Sequence, residues 1–171
     1  ILRAGEILIN SAPDPAPQYR PLIVETAQGT VQALGTRFSV REKDARSQVA
    51  VFEGAVEIRA NGSSDKQRVD AGQQAMFDQS GITMPEALDQ HAAAWADGKL
   101  VAERMRLADF LVELNRYRAG FIRCDERAAD LIVSGVFPLQ DTDRILDSLS
   151  RALPVHVSYA TRFWVTVRGL A

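Results

Sequence analysis

The sequence contains one cysteine, Cys124, and two histidines, His91 and His156, in 171 residues. A lone cysteine excludes an intrachain disulfide and a thiolate metal site, and within the apolar run FIRC it reads as a small buried residue. No second ligand follows His91 at i+3 or i+4, so no histidine metal site is expected. Long apolar runs are missing too: nothing approaches the ~20 residues that span a bilayer, and there is no signal-peptide pattern. Neither charge predominates, since 20 Lys and Arg stand against 22 Asp and Glu for a net charge of −2. A basic nucleic-acid surface and simple adsorption to anionic lipid are thereby demoted. The familiar catalytic signatures are absent: there is no Gly-rich phosphate loop, H-E-x-x-H, nucleophile elbow or Cys-His pairing. The neighbouring carboxylates Asp141 and Asp143 read as helix N-terminal charge rather than an acid/base pair. An ordinary multi-turnover enzyme is not expected, and no cofactor or metal is implied.

What is present is ordinary globular composition, 46% hydrophobic and 25% charged, with enough length for a sizeable core or two small ones. Residues 98–137 organise the second half. An apolar strand leads into a helical stripe of Leu107, Phe110, Leu111, Leu114 and Tyr117, with Glu113, Arg116 and Arg118 on the wet side. Gly120 is expected to stop this helix, and two more apolar strands follow. A second helix has Asp141 as N-cap, Ile145, Leu146, Leu149 and Leu153 as its stripe, Arg151 in the last turn and Pro154 as its stop. A shift of 35 positions superposes Phe110 on Ile145, Leu111 on Leu146, Leu114 on Leu149 and Arg116 on Arg151, the mark of a duplicated β-α-β unit.

The first half reads as strands and turns. Eight short runs rich in β-branched and aromatic residues are expected at 6–9, 22–26, 30–34, 36–41, 48–53, 55–59, 67–70 and 73–77. Glu53-Gly54 reads as the turn of a hairpin joining the fifth and sixth. VETAQGTVQAL, VFEGAVEIR and VDAGQQAMF repeat one strand-Gly-strand pattern, which fits either a β-sandwich or a solenoid-like lobe. The segment from Ser11 to Pro21, with Pro13, Pro15 and Pro17, reads as a surface loop. Composition changes at Pro85, and a short connecting helix with Leu88, Ala92 and Trp95 at helical spacing is expected, Trp95 packing between the halves. The expected plan is an all-β lobe over 1–84, a connecting segment over 85–97 and an α+β lobe over 98–171.

One spot could hold intramolecular chemistry. In Ala33-Leu34-Gly35-Thr36-Arg37-Phe38 a glycine precedes a threonine at a strand junction, and a threonine hydroxyl can attack a strained Gly-Thr peptide to give an ester. The plainer reading is that Gly35 permits a bend and Thr36 starts a strand. A candidate binding surface lies in the last strand. Alternation over Thr161 to Arg168 puts Phe163, Val165 and Val167 on a core face and Trp164, Thr166 and Arg168 on the other, and Trp beside Arg is a pairing enriched at binding hot spots.

Taken together, ALGTRFSV (33–40), VAVFEGAVEI (49–58), the AG of VDAGQQA, Trp95-x-x-Gly98-x-Leu100, LNRYR (114–118) and VSGVF (133–137) resemble the periplasmic region of FecR-like sigma-factor regulators. The first half is similar to the FecR-type all-β domain and the second to the secretin and TonB short N-terminal domain. The resemblance implies a transmembrane anti-sigma factor of the Gram-negative periplasm, acting in iron uptake by cell-surface signalling. Its periplasmic part would bind the N-terminal signalling domain of a TonB-dependent ferric-siderophore transporter. A cytoplasmic segment would hold an extracytoplasmic-function sigma factor, and one membrane helix would precede Ile1. Because the chain opens on Ile rather than Met, it is expected to be a piece of a longer protein. Some members are cleaved at the Gly-Thr bond matched by Gly35 and Thr36. Two alternatives stand beside the signal receiver: a scaffold whose main event is single-turnover self-cleavage at Gly35-Thr36, and an envelope-assembly interaction module like those of secretins.

Overall fold

The computed structural model describes residues 1–11, 21–64 and 66–170. Pro13, Pro15 and Pro17 of the expected surface loop lie outside the described residues. The chain divides into two compact units, Ile1–Ala93 and Ala94–Ala171.

Among the described residues, alternating apolar residues build the first unit from ten strands: β1 (Gly5–Asn10), β2 (Ile23–Glu25), β3 (Gly29–Ala33), β4 (Arg37–Lys43), β5 (Arg46–Glu53), β6 (Ala55–Ala60), β7 (Lys66–Asp70), β8 (Gln73–Asp78), β9 (Gly81–Ile82) and β10 (Glu86–Ala87). All pairings are antiparallel. One sheet has the order β1-β4-β5-β8-β10, with β9 also on β8, and the other β2-β3-β6-β7. The apolar faces of both sheets share one core: Phe38, Val40, Val49, Val51 and Phe77 from the first, Val31, Val56, Ile58 and Val69 from the second. This is the sandwich arrangement, in which each sheet keeps one dry and one wet face.

The hairpin expected at Glu53-Gly54 does not form. β5 pairs with β4 and β8, β6 pairs with β3 and β7, and Gly54 is the corner at which the chain changes sheet. Alternation in two neighbouring strands says that each buries one face, and leaves open whether they bury it side by side or across a core. Similar corners fall at Leu34-Gly35-Thr36, between β3 and β4, and at Ala71-Gly72, between β7 and β8. Gly35, Gly54 and Gly72 have φ of 80°, 76° and 79°, in the left-handed region open to glycine. The corners are tied together, with Leu34 N–H donating to Ala55 O at 3.1 Å and Ala71 N–H to Gly54 O at 2.9 Å.

The connecting helix is also corrected. Glu86–Ala87 is a two-residue strand on β8, and the only helical piece in this stretch is one 3-10 turn at Ala94–Asp97. Asp89 competes with helical bonding here. Its side chain accepts from His91 N–H at 2.8 Å and its carbonyl from Ala92 N–H at 3.0 Å, so the backbone is spent on a turn.

The second unit contains β11 (Lys99–Arg106), α1 (Leu107–Leu114), β12 (Phe121–Cys124), α2 (Glu126–Ala129), β13 (Ile132–Pro138), α3 (Thr142–Ala152), β14 (Val155–Thr161) and β15 (Trp164–Gly169). β-α-β occurs twice, as β11-α1-β12 and β13-α3-β14. The two first strands pair with each other, and the two second strands are bridged by β15, parallel to β12 and antiparallel to β14. The superposed pairs Phe110 and Ile145, Leu111 and Leu146, and Leu114 and Leu149 are all buried in one core with Val165 and Val167. Asp141 caps α3 as expected, accepting from Arg144 N–H at 3.0 Å.

Two local expectations change. α1 ends at Leu114 and is followed by a 3-10 turn at Asn115–Tyr117, before Gly120 is reached. The Asn115 side chain accepts from Ile122 N–H at 3.0 Å, drawing β12 back against the helix end. Gly120 serves a close approach instead: at φ 111°, a Cβ there would lie 2.1 Å from Phe163 O. Arg118, expected on the wet side, has a side chain only 5% exposed.

Candidate functional site

Two places carry the residues singled out from the sequence, one in each unit. The first is the corner Leu34-Gly35-Thr36. Thr36 is 2% exposed, and its hydroxyl donates to Ala55 O at 2.6 Å and accepts from Leu34 N–H at 3.2 Å. Ser11 binds the same residue: its Oγ accepts from Thr36 N–H at 2.9 Å and donates to Thr36 O at 3.1 Å, and its own N–H donates to Thr36 O at 2.9 Å. The Gly35 carbonyl lies so close to Gly54 that a Cβ on residue 54 would sit 2.3 Å from its oxygen. The Gly35-Thr36 bond lies at the sheet-changing corner, outside any ladder pair. It is flanked by the β1–β4 and β3–β6 ladders, which hold the segments on either side. Ser11 had no sequence signal, because 25 residues separate it from Thr36.

The second place is the outward face of the sheet β12-β15-β14. Val165 and Val167 are buried beneath it, and Trp164, Thr166 and Arg168 point the other way, Trp164 being 53% exposed. Phe163 is not in the core. It is 47% exposed in the turn before β15, where Thr161 Oγ1 accepts from the N–H groups of Phe163 and Trp164 and the Arg162 guanidinium lies 4.5 Å from the Phe163 ring centre. A hydroxyl closing the turn moves the strand start to Trp164, so the alternation holds only from there. Parallel pairing sets Phe121 beside Trp164 with ring centres 6.2 Å apart, and Arg123 beside Thr166. Antiparallel pairing sets His156 beside Arg168 and Ser158 beside Thr166. The sequence does not place Phe121, Arg123 and His156 on this face, because β12 and β14 reach it only through pairing with β15.

Below that sheet, Asp143 is more than helix N-terminal charge. It accepts from Arg118 at 2.8 Å and from the Tyr159 hydroxyl at 3.5 Å. Partial burial, followed by the nearby carboxylates Asp143 and Asp147, pushes the Tyr159 phenol above its ordinary range. Cys124 is half-buried against the second core, and burial raises its thiol out of the reactive range. Among the described residues no cluster of His, Cys, Asp or Glu is placed to hold a metal ion, and no helix is long and apolar enough to cross a membrane.

An antiparallel sandwich with glycine corners, followed by a duplicated α+β unit, defines the class of protein. Residues 1–57 match the family model described as FecR protein. Two crystal structures of a "putative anti-sigma factor" from Parabacteroides distasonis share the fold, each with TM-score 0.72 and 22% identity over 98% of this chain and 79% or 78% of theirs. No curated protein matches the chain. The amino-terminal third is thus FecR-like by sequence, and both units follow a fold seen in proteins described as anti-sigma factors.

Proposed function

We propose that the chain is the signal-receiving, periplasmic part of a FecR-like anti-sigma regulator, anchored by a membrane helix ahead of Ile1 and coupled to an extracytoplasmic-function sigma factor. Its carboxy-terminal unit acts as a short N-terminal (STN-type) domain and binds the N-terminal signalling domain of a TonB-dependent ferric-siderophore transporter. The observation that carries this reading is the FecR match over residues 1–57 within a fold shared, over nearly the whole chain, with proteins described as anti-sigma factors. The exposed Trp164, followed on the same face of its strand by Thr166 and Arg168, supports a partner surface there. Titration calorimetry of the full chain with such a signalling domain tests it. Trp164→Ala is expected to weaken binding by roughly 2 kcal/mol or more while thermal unfolding stays cooperative. Absence of binding by the unsubstituted chain overturns the reading, and unchanged affinity in Trp164→Ala moves the interface elsewhere.

A second reading, single-turnover self-cleavage at Gly35-Thr36, is favoured by the buried, oriented Thr36 hydroxyl beside a glycine in left-handed conformation. The hydroxyl oxygen attacks the Gly35 carbonyl carbon as the C–N bond breaks, the hydroxyl proton ends on the Thr36 nitrogen, and water then hydrolyses the ester. Mass spectrometry of denatured protein reads the outcome directly as one mass or two.

A further inference from the structure

We infer that the outward face of β12-β15-β14 is a docking surface for an acidic protein segment, one that sets an apolar side chain on the Phe121–Trp164 pair and carboxylates on Arg123 and Arg168. The inference names the chemistry of the partner and rests on reading this face as the partner surface.

The sheet is dry on one side and open on the other. Val165 and Val167 are fully buried on the core side, whereas Phe121 and Trp164 are 65% and 53% exposed on the outer one. Outer faces of small sheets are ordinarily polar, and two adjoining exposed aromatic rings are the feature that marks a contact surface. The ladder sets Phe121 opposite Trp164, and the rings lie nearly parallel, with planes 28° apart.

Charge decides what the pair accepts. Two residues further along each strand, Arg123 stands opposite Thr166, and two further still Arg168 stands opposite His156. No outward position on the three strands is acidic: they carry Phe121, Arg123, Trp164, Thr166, Arg168, His156, Ser158 and Thr161. Among the described residues neither Arg123 nor Arg168 takes part in an ion pair or a side-chain hydrogen bond. That contrasts with Arg106, Arg116 and Arg118 of the same unit, each bound to a carboxylate. The two guanidiniums thus stand on one side of the exposed aromatic pair, further along β12 and β15, the pattern complementary to a segment whose apolar anchor is followed by carboxylates.

The test titrates the isotope-labelled full chain with a short peptide of alternating leucine and glutamate and, separately, with its lysine twin. Amide shifts confined to β12, β14 and β15, seen with the glutamate peptide and suppressed by about 0.5 M salt, are the expected result. Arg123→Glu with Arg168→Glu should weaken binding ~10-fold or more, and the milder Arg123→Gln with Arg168→Gln by less, in protein that keeps its spectrum. Equal binding of the lysine twin, shifts elsewhere, no binding, or indifference to both charge variants overturns the inference. A transporter signalling domain forms the second arm. If the peptide binds this face and the domain does not, the transporter reading falls and the acidic-partner inference stands. If the domain binds and neither charge variant nor salt affects it, the inference falls and the transporter reading stands.

Discussion

The guanidinium of Arg118, just after α1, donates to the carboxylate of Asp143 in the first turn of α3 at 2.8 Å, so an ion pair joins the two repeats of the second unit. The partners are unequal: the Arg118 side chain is 5% exposed and that of Asp143 62%. Arg118 also donates to Arg162 O at 3.0 Å, and its buried Nε has no hydrogen-bond partner among the described residues. Most of the desolvation therefore falls on the arginine, and its acceptors recover only part of the cost.

Asp143→Ala is expected to cost about 2 kcal/mol, because it leaves a buried guanidinium with one acceptor fewer. Arg118→Met, which removes the buried charge and the orphaned Nε together, should cost about 1 kcal/mol or less. The double variant should be no less stable than Asp143→Ala alone. Urea unfolding of the full chain measures all three, and strictly additive costs would show that the pair is not coupled.

Gly54 and Gly72 have nearly the same φ but different surroundings. A Cβ on Gly54 would meet Gly35 O at 2.3 Å, whereas one on Gly72 meets nothing within 4 Å. Gly72→Ala should cost about 1–2 kcal/mol, the price of a left-handed alanine. Gly54→Ala should cost clearly more, since backbone must also shift. Equal losses in urea midpoint would mean that the Gly35 corner is free to move away.

Thr36→Ala removes a hydroxyl and little volume. The Ala55 carbonyl keeps its bond from Leu34 N–H at 3.1 Å, so the loss in stability should be about 1 kcal/mol. Any cleavage at Gly35-Thr36 should stop. Equal fragmentation of the variant, read by intact mass, would remove the acyl-shift route.

Residues 94–171 expressed alone are expected to stay soluble with mixed helix and strand by circular dichroism, because Phe110, Leu111, Leu114, Ile145, Leu146 and Leu149 close a core within the second unit. An unfolded fragment would show that this core needs the first unit.

The eight runs read as strands in the first half are strands to within two residues at either end, and the two amphipathic stripes are the buried faces of α1 and α3, except for Tyr117 and Leu153, which lie beyond the helix ends and are only partly buried. These features follow from local chemistry: a period of two or 3.6 residues, a glycine where φ turns positive, and an Asp at a helix start act over a few residues and are written there. What failed was also specific. The Glu53-Gly54 hairpin is a sheet-changing corner, the connecting helix is a turn held by Asp89, and Phe163 lies in a turn.

Tertiary structure alone decided which strands are neighbours, and with that the makeup of both candidate sites. Ser11 reaches Thr36 because β1 pairs with β4, and Phe121 and Arg123 reach Trp164 and Thr166 because β12 runs parallel to β15. Arg118 meets Asp143 because the fold brings the first turn of α3 beside it. The sequence by itself determined which residues must leave water, since burial of apolar surface depends on each side chain's own chemistry. Which polar residues meet depends on which segments pair or pack together, 25 residues apart for both Ser11–Thr36 and Arg118–Asp143, and alternation along one strand carries no information about its partner.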